Sequence, residues 1–304
     1  MGCSGVMVEY STQIHEKTQS LSSSERVKAI GYINKNIRDF DDVNGVWEDL
    51  HRLTQDEDKS VRWRATVALG AAFADMPDKD GAWEDLHRLT QDEDKRVRSS
   101  AVYALIRAFS FVPDKDRAWE DLHRLTQDEE GSIRRDVADA LRWAFALGWA
   151  FKDVQDKGKA WGEIHRLTQD EDKRVRGRAA GALGQAFAYA PDKYMAWEDL
   201  HRLTQDKHKD IRRGAVVTLG NIFTSVPDKD KAWEDLHRLT QDKHKGVRWF
   251  AADALGKVFA SVPDRDNAWE DLHRLTQDED ELVRQRAADA LRVAYAYMPE
   301  KDKT

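Results

Sequence analysis

Hydrophobic and polar positions along this chain repeat with a fixed period. The phrase Trp-Glu-Asp-Leu-His-Arg-Leu-Thr-Gln-Asp, or a close variant, begins at seven tryptophans: Trp47, Trp83, Trp119, Trp161, Trp197, Trp233 and Trp269. The step from Trp47 to Trp83 is 36 residues, and every other step matches it except Trp119 to Trp161, which is 42. A period of this length predicts a stack of supersecondary units and argues against a globular enzyme fold.

The first half of each period predicts an amphipathic helix. In the second copy, Asp78 or Asp80 can cap a helix that begins near Ala82. Glu84 and Asp85 are expected in its first turn, where the helix dipole favours negative charge. At about 100° per residue, one arc carries the side chains expected to be buried: Ala82, Trp83, Leu86, Leu89 and Thr90.

The second half predicts a second helix. Asp94 is placed to cap it, Lys95 is its first residue, and Pro113 is expected to stop it. Its apolar arc consists of Val97, Ala101, Ala104, Leu105, Ala108 and Phe109. The small alanines predict that neighbouring helices approach closely, near the short end of the usual spacing of about 8–10 Å.

The second helix carries a recognisable pattern, Asp-x-Asp-x-x-Val-Arg-x-x-Ala-x-x-Ala-Leu-Gly. In the first clear copy its residues are Asp56, Asp58, Val61, Arg62, Ala65, Ala68, Leu69 and Gly70. This pattern closely resembles HEAT-like repeats of the phycobilin-lyase type, and the resemblance covers residues 45–299. The longer first helix is similar to many-copy repeat proteins of methanogenic archaea. The period and the resemblance predict an all-α fold, a right-handed α-solenoid of about eight two-helix repeats.

We expect a single solenoid over residues 8–299. A shift of 36 residues aligns Arg26 with Arg62 and Ile33 with Leu69, so residues 8–41 are interpreted as a degenerate capping repeat. Residues 1–7 are expected to be a flexible N-terminus and residues 300–304 a tail. The full repeats are predicted at residues 45–77, 81–113, 117–154, 159–191, 195–227, 231–263 and 267–299.

Two ionisable positions recur in every clear copy. Arg62 and its counterparts lie in the apolar arc, where a buried charge needs an ion-pair partner. The aspartates equivalent to Asp56 in the other repeats are the expected partners. The resemblance implies an Asp–Arg ladder between repeats. His87 and its counterparts follow the tryptophan by four residues and are expected to pack on its ring. A metal site is not expected, because copies about 10 Å apart cannot share bonds of about 2 Å.

No catalytic residue or cofactor site is predicted. HEAT-like deoxyhypusine hydroxylases carry recurring His-Glu pairs that bind iron, but here the pair occurs once, at His15-Glu16. The sequence contains no P-loop, dinucleotide-binding, zinc-protease or nucleophile-elbow motif.

Positions that vary between copies fall on one arc of the second helix, opposite the apolar arc, and predict an exposed stripe. In HEAT-like solenoids the second helices line the concave face, and the resemblance implies the same here. Aromatic residues and arginine are typical of protein–protein hot spots. The predicted partner-binding residues are Trp63, Arg64, Tyr103, Arg107, Phe111, Arg135, Trp143, Arg178, Tyr189, Arg213, Trp249, Phe250, Lys257 and Tyr297. The alternative is that these rings pack on the neighbouring repeat.

Two departures from the pattern are further candidates. The 42-residue step repeats the run that begins at Trp143, which extends a helix by about 9 Å. It adds Trp149 to the predicted partner-binding residues, unless the duplication is neutral.

Two adjacent repeats replace the usual Glu-Asp-Lys by a basic edge that consists of Lys207, His208, Lys209, Lys243, His244 and Lys245. Histidine caps a helix less well than aspartate, by about 1 kcal/mol. The basic edge can bind an acidic protein segment or phosphates. The alternative is that these substitutions are neutral surface variation.

Composition and charge reduce the range of functions that the sequence supports. Charged residues make up 35% of the chain and the net charge is −7, which weighs against nucleic-acid binding. One cysteine, Cys3, excludes internal disulfides and a thiolate metal cage. No long apolar run or signal-peptide pattern occurs, so we expect a cytoplasmic protein without a membrane partner.

These features predict a non-catalytic scaffold or adaptor that binds a protein or peptide through the second helices. Nucleic-acid binding through the basic edge is the first alternative, and a phycobilin-lyase-like enzyme is the second. The sequence leaves the oligomeric state open.

Overall fold

The computed structural model describes residues 12–40, 42–147 and 154–297. This part of the chain contains helices and no strand, which confirms the all-α prediction. Odd-numbered helices are the first helices of the repeats and even-numbered helices the second ones. In the described part of residues 1–152 the α-helices are α1 (12–18), α2 (Ser23–Asn36), α3 (Val43–Leu53), α4 (Lys59–Ala72), α5 (Lys79–Leu89), α6 (Lys95–Ala108), α7 (Lys115–Leu125) and α8 (Gly131–Leu147).

The remaining helices follow the same alternation. They are α9 (Val154–Leu167), α10 (Lys173–Ala186), α11 (Lys193–Thr204), α12 (Lys209–Ile222), α13 (Lys229–Thr240), α14 (Lys245–Val258), α15 (Arg265–Leu275) and α16 (Glu281–Tyr295). The chain forms two compact units, Met1–Lys152 and Asp153–Thr304, whose boundary falls at the 42-residue step. Within each unit, a second helix packs on its own first helix and on the second helices of the adjacent repeats.

The helix starts follow the predicted capping. Asp78, and not Asp80, caps α5, because its carboxylate accepts the backbone N–H of Gly81 at 2.9 Å. Asp94 caps α6 by accepting the N–H of Arg96 at 2.9 Å. The first helix of this repeat begins at Lys79, a few residues before the expected start near Ala82.

The prediction that Pro113 stops α6 is wrong, since the helix ends at Ala108. The repeat before it shows the reason. There the chain leaves α4 in a 3-10 turn, Phe73–Asp75, and Met76 is buried with an extended ψ of 136°. A residue before proline disfavours helical ψ, so Pro77 accounts for the extended Met76 that ends the 3-10 turn, and the α-helix has already ended at Ala72.

The predicted apolar arcs form the core of each repeat. In the second repeat, Trp83 retains 2% exposure and Leu86, Val97 and Phe109 retain 0%. The tryptophan rings lie beside the histidines as expected, for example Trp83 and His87 with centroids 6.0 Å apart.

A ladder of buried Arg–Asp pairs connects successive repeats within each unit, which confirms the partners inferred from the sequence. Arg212 Nε lies 2.6 Å from Asp242 Oδ2, and both side chains are under 10% exposed. Burial raises the pKa of Asp242, but its hydrogen bonds with Arg212 and with the N–H of His244 outweigh this and lower it below the ordinary value. Equivalent pairs are Arg26–Asp56, Arg62–Asp92, Arg98–Asp128, Arg176–Asp206 and Arg248–Asp278.

A second ladder joins the first helices and was not predicted. Asp85 was expected to lie near the helix dipole, but it is 2% exposed and its carboxylate accepts from His51 of the preceding repeat at 2.7 Å and from Arg88 of its own helix. Arg88 also donates to the hydroxyl of Thr54, 2.9 Å away in the preceding repeat. The corresponding His–Asp distances are 2.5–2.9 Å in the pairs His15–Asp49, His87–Asp121, His165–Asp199, His201–Asp235 and His237–Asp271.

Glycines set how closely the second helices approach. A Cβ added at Gly256 of α14 would lie 2.8 Å from the Cβ of Ala290 in α16. Gly70 and Gly220 meet Ala104 and Ala254 in the same way. Any side chain at these positions therefore requires the two helices to move apart.

We expect Gly256→Ala to lower the free energy of unfolding by about 1–3 kcal/mol, because the added methyl overpacks the contact with Ala290. The control is Gly246→Ala in the same helix, where an added Cβ meets nothing within 4 Å. The free energy of unfolding of that variant should rise by up to about 1 kcal/mol, because alanine has a higher helix propensity than glycine. Urea unfolding of both variants measures the difference, and equal effects would contradict the close-approach interpretation.

The basic-edge repeats lack the side-chain cap that aspartate provides elsewhere. His208 and His244 occupy the N-cap positions of α12 and α14, and neither makes a side-chain capping hydrogen bond. We expect His208→Asp and His244→Asp each to raise the free energy of unfolding by about 1 kcal/mol, since a carboxylate can accept the N–H two residues on. Thermal or urea unfolding tests this against His208→Ala, which supplies no cap and should bring no gain. A gain from alanine equal to that from aspartate would show that removal of the histidine is responsible.

Candidate functional site

The candidate site is the variable stripe, which we define as the fourteen predicted partner-binding residues on the second helices and the turns that follow them. Their exposure divides them into two groups. The exposed members are Arg64, Tyr103, Arg107, Phe111, Trp143, Arg178, Tyr189, Arg213, Lys257 and Tyr297. The half-buried members are Trp63, Arg135, Trp249 and Phe250. The further candidate Trp149 lies outside the described residues.

Trp63 is held by the next repeat along the chain. Its ring packs on the cluster of Leu89, Val97 and Ala101. The guanidinium groups of Arg64 and Arg96 lie 4.2 and 4.5 Å from the ring centroid, so the ring has a cation–π partner from each of two repeats. Trp63 therefore contributes to packing between repeats as well as to the surface.

The first unit presents three exposed rings of the stripe. Tyr103 is 38% exposed, Phe111 47% and Trp143 48%. Arg142 stacks at 5.0 Å on Trp143. Truncation of these side chains removes contact area without opening a core cavity, so they are suited to tests of binding.

In the second unit, stripe residues of α14 form a cluster with Arg286 of α16. Trp249 and Phe250 of α14 contact each other edge to face with centroids 4.6 Å apart. Arg286 of α16 lies 4.3 Å from the Trp249 ring and 3.3 Å from the carboxylate of Asp253. Lys257 pairs with the same carboxylate at 2.8 Å, so this surface combines aromatic faces with partly neutralised charges.

Sequence reasoning missed several exposed hydrophobic residues, because it did not search the first helices and took no aliphatic side chains from the second helices. Tyr194 and Met195 at the start of α11 are 63% and 43% exposed, and Leu282 and Val293 of α16 are 62% and 53% exposed. The signal for Tyr194 was present, since most other copies carry an aspartate at this address.

Four of the six basic-edge residues line one cavity of about 450 Å³ between the two repeats. Lys209 and Arg213 line it from one repeat, and Lys243, His244 and Lys245 line it from the next. A hydrogen bond with Asp280 at 2.8 Å raises the pKa of Lys245, so this amine stays charged at neutral pH. The basic edge is thus contiguous with the stripe through Arg213.

The described residues contain no group of three or more histidines, cysteines or carboxylates that could hold a metal ion. None of the described helices is both long enough and apolar enough to cross a membrane.

The repeated helix pairs match a known protein family. A sequence profile of HEAT repeats matches residues 48–142 and 200–292, which is more than half of the chain. The chain belongs to the HEAT-repeat family. No curated protein matches this HEAT-repeat chain significantly.

Solved structures share the fold at low sequence identity. Importin beta has a TM-score of 0.69 with 13% identity, and Kap95p, in a structure that concerns its binding to RanGDP, has a TM-score of 0.65 with 15% identity. These matches cover 93% and 96% of this HEAT-repeat chain but only 40% and 41% of those proteins. YibA from Escherichia coli has a TM-score of 0.59 at 15% identity, with 96% and 97% of the two chains covered. The likeness shows an α-solenoid and nothing finer.

Proposed function

We propose that this protein is a non-catalytic scaffold or adaptor that binds a protein or peptide through the variable stripe. The observation that carries the proposal is the contrast between the two helices of each repeat. The first helices repeat nearly the same residues and use them in the His–Asp ladder, whereas the second helices expose tyrosine, tryptophan and arginine that differ between repeats. Exposed rings beside guanidinium groups are typical of protein–protein hot spots.

The helix packing supports the stripe as a concave surface within each unit. Successive second helices meet along their length, with glycine at the closest points, whereas successive first helices meet at few points. A stack that is tighter on one side curves toward that side, so a partner is surrounded by several repeats there.

The HEAT-repeat fold is also that of importin beta and Kap95p, and binding of Kap95p induces the switch loops of another protein, RanGDP, to adopt the GTP-bound conformation. That likeness supports a binding role by analogy. A phycobilin-lyase-like activity has no support beyond the repeat pattern. The cytoplasmic location, the phycobilin-lyase type and the archaeal likeness stay predictions.

The test begins with purification of the full chain and its bound partner, followed by calorimetry with the identified partner. We expect Tyr103→Ala combined with Trp143→Ala to weaken binding by about tenfold or more, since hot-spot aromatics each contribute more than about 1 kcal/mol. The control is Tyr194→Ala, which removes an exposed ring from a first helix and should leave the affinity unchanged. Loss of binding in the control, with the stripe variant intact, would move the interface off the second helices.

A further inference from the structure

The strongest unassigned feature is the cavity between the two Lys-His-Lys turns of the basic edge. Its volume of about 450 Å³ is in the range of ligand-binding clefts. Lys209 and Lys243 line it, and neither has an ion pair within the part of the chain that the structure describes. These two amines are available to a negatively charged ligand.

The other charges of the cavity are partly satisfied. Arg213 pairs with Asp210 at 3.4 Å, but both side chains are about half exposed or more, so this pair is weak. Glu279, also in the lining, lies 3.0 Å from Arg248. The cavity lining therefore has a net positive charge, because its two carboxylates, Asp210 and Glu279, pair with Arg213 and Arg248.

The positive region is short along the stack. The equivalent turn of the preceding repeat is Asp170-Glu171-Asp172, and that of the following repeat is Asp278-Glu279-Asp280. A nucleic-acid strand that continued along this edge would meet acidic turns on both sides within about a Debye length of 8–10 Å. A short acidic segment in the cavity would meet only Glu279 of these turns, and that carboxylate already pairs with Arg248.

We propose that this cavity binds a short acidic peptide segment of the protein partner. The two basic turns belong to adjacent repeats about 8–10 Å apart, which an extended chain spans in about three residues. The segment therefore carries carboxylates about three positions apart, one for each turn. Because Arg213 also lies 5.9 Å from the ring of Phe250, the segment leads directly onto the variable stripe. This inference rests on the proposed protein-binding function.

The repeat pattern supplies a test variant that should fold. Lys207→Glu, His208→Asp, Lys243→Glu and His244→Asp together give both turns the Asp-Glu-Asp-Lys sequence that three other repeats carry. The matched control changes three exposed lysines away from the cavity: Lys35→Glu, Lys229→Glu and Lys231→Glu. With histidine neutral, both variants lower the net charge by the same amount.

The probe is a fluorescein-labelled peptide with a glutamate at every third position, measured by fluorescence anisotropy on the full chain. We expect saturable binding to the natural chain and to the control, weakened by about tenfold or more in the turn variant. Added salt should weaken the binding as well, because the contacts are exposed charge pairs. Circular dichroism of each variant confirms that the helices are retained.

Three outcomes would overturn the proposal. The first is equal binding to the natural chain and the turn variant, or no saturable binding. The second is tighter binding of an oligothymidylate of equal charge, which would indicate a nucleic-acid site. The third is low-salt self-association that the turn variant abolishes, which would make a second copy of the chain the occupant. The Tyr103 and Trp143 variant separates the two proposals, since it tests the stripe and leaves the cavity unchanged.

Discussion

The structure of each unit depends on the buried Arg–Asp pairs that connect its successive repeats. The arginine reaches out of its own repeat to an aspartate in the turn before the following second helix, as Arg212 does with Asp242. The same guanidinium donates to the carbonyl oxygen of Asp206 in its own turn, and Asp242 accepts the N–H of His244. A charge pair with its hydrogen bonds satisfied in this way tolerates burial, whereas either partner alone would not. Because the pair recurs at the same address, it fixes the register of successive repeats within each unit.

The ladders explain which residues are free for function. The invariant arginine, the histidine and both recurring aspartates are occupied in linking repeats, so their chemistry is structural even though an arginine, a histidine and two carboxylates could in principle serve catalysis. The side chains that vary between repeats lie on the exposed arc of the second helices and in the turns before these helices. Under the proposed binding function, specificity would come from variable side chains on a conserved support, and each repeat can change its exposed surface at little cost to the core.

Much of this fold could be predicted from the sequence because seven repeats carry the same residue types at the positions that pack and pair. The buried arcs, the Asp94 cap and the partner of Arg62 were all predicted correctly. The role of Asp85 was not, since its partner His51 lies on another repeat and helix periodicity describes only one helix at a time. The partial burial of Trp63 has the same origin, because it depends on Val97 and Arg96 of the next repeat. Residue periodicity gives the face of a helix, but the offset between stacked helices determines which side chains meet.

The coupling free energy between Arg212 and Asp242 is the most direct measure of the ladder. A double-mutant cycle with Arg212→Met and Asp242→Asn, followed by urea unfolding, isolates that coupling. We expect about 1.5–3 kcal/mol for this buried charged pair. The matched cycle on the exposed neighbours, Arg213→Met and Asp210→Asn, should give less than about 0.5 kcal/mol. A coupling near zero for Arg212 and Asp242, or one no larger than that of the exposed pair, would contradict the central role of the ladder.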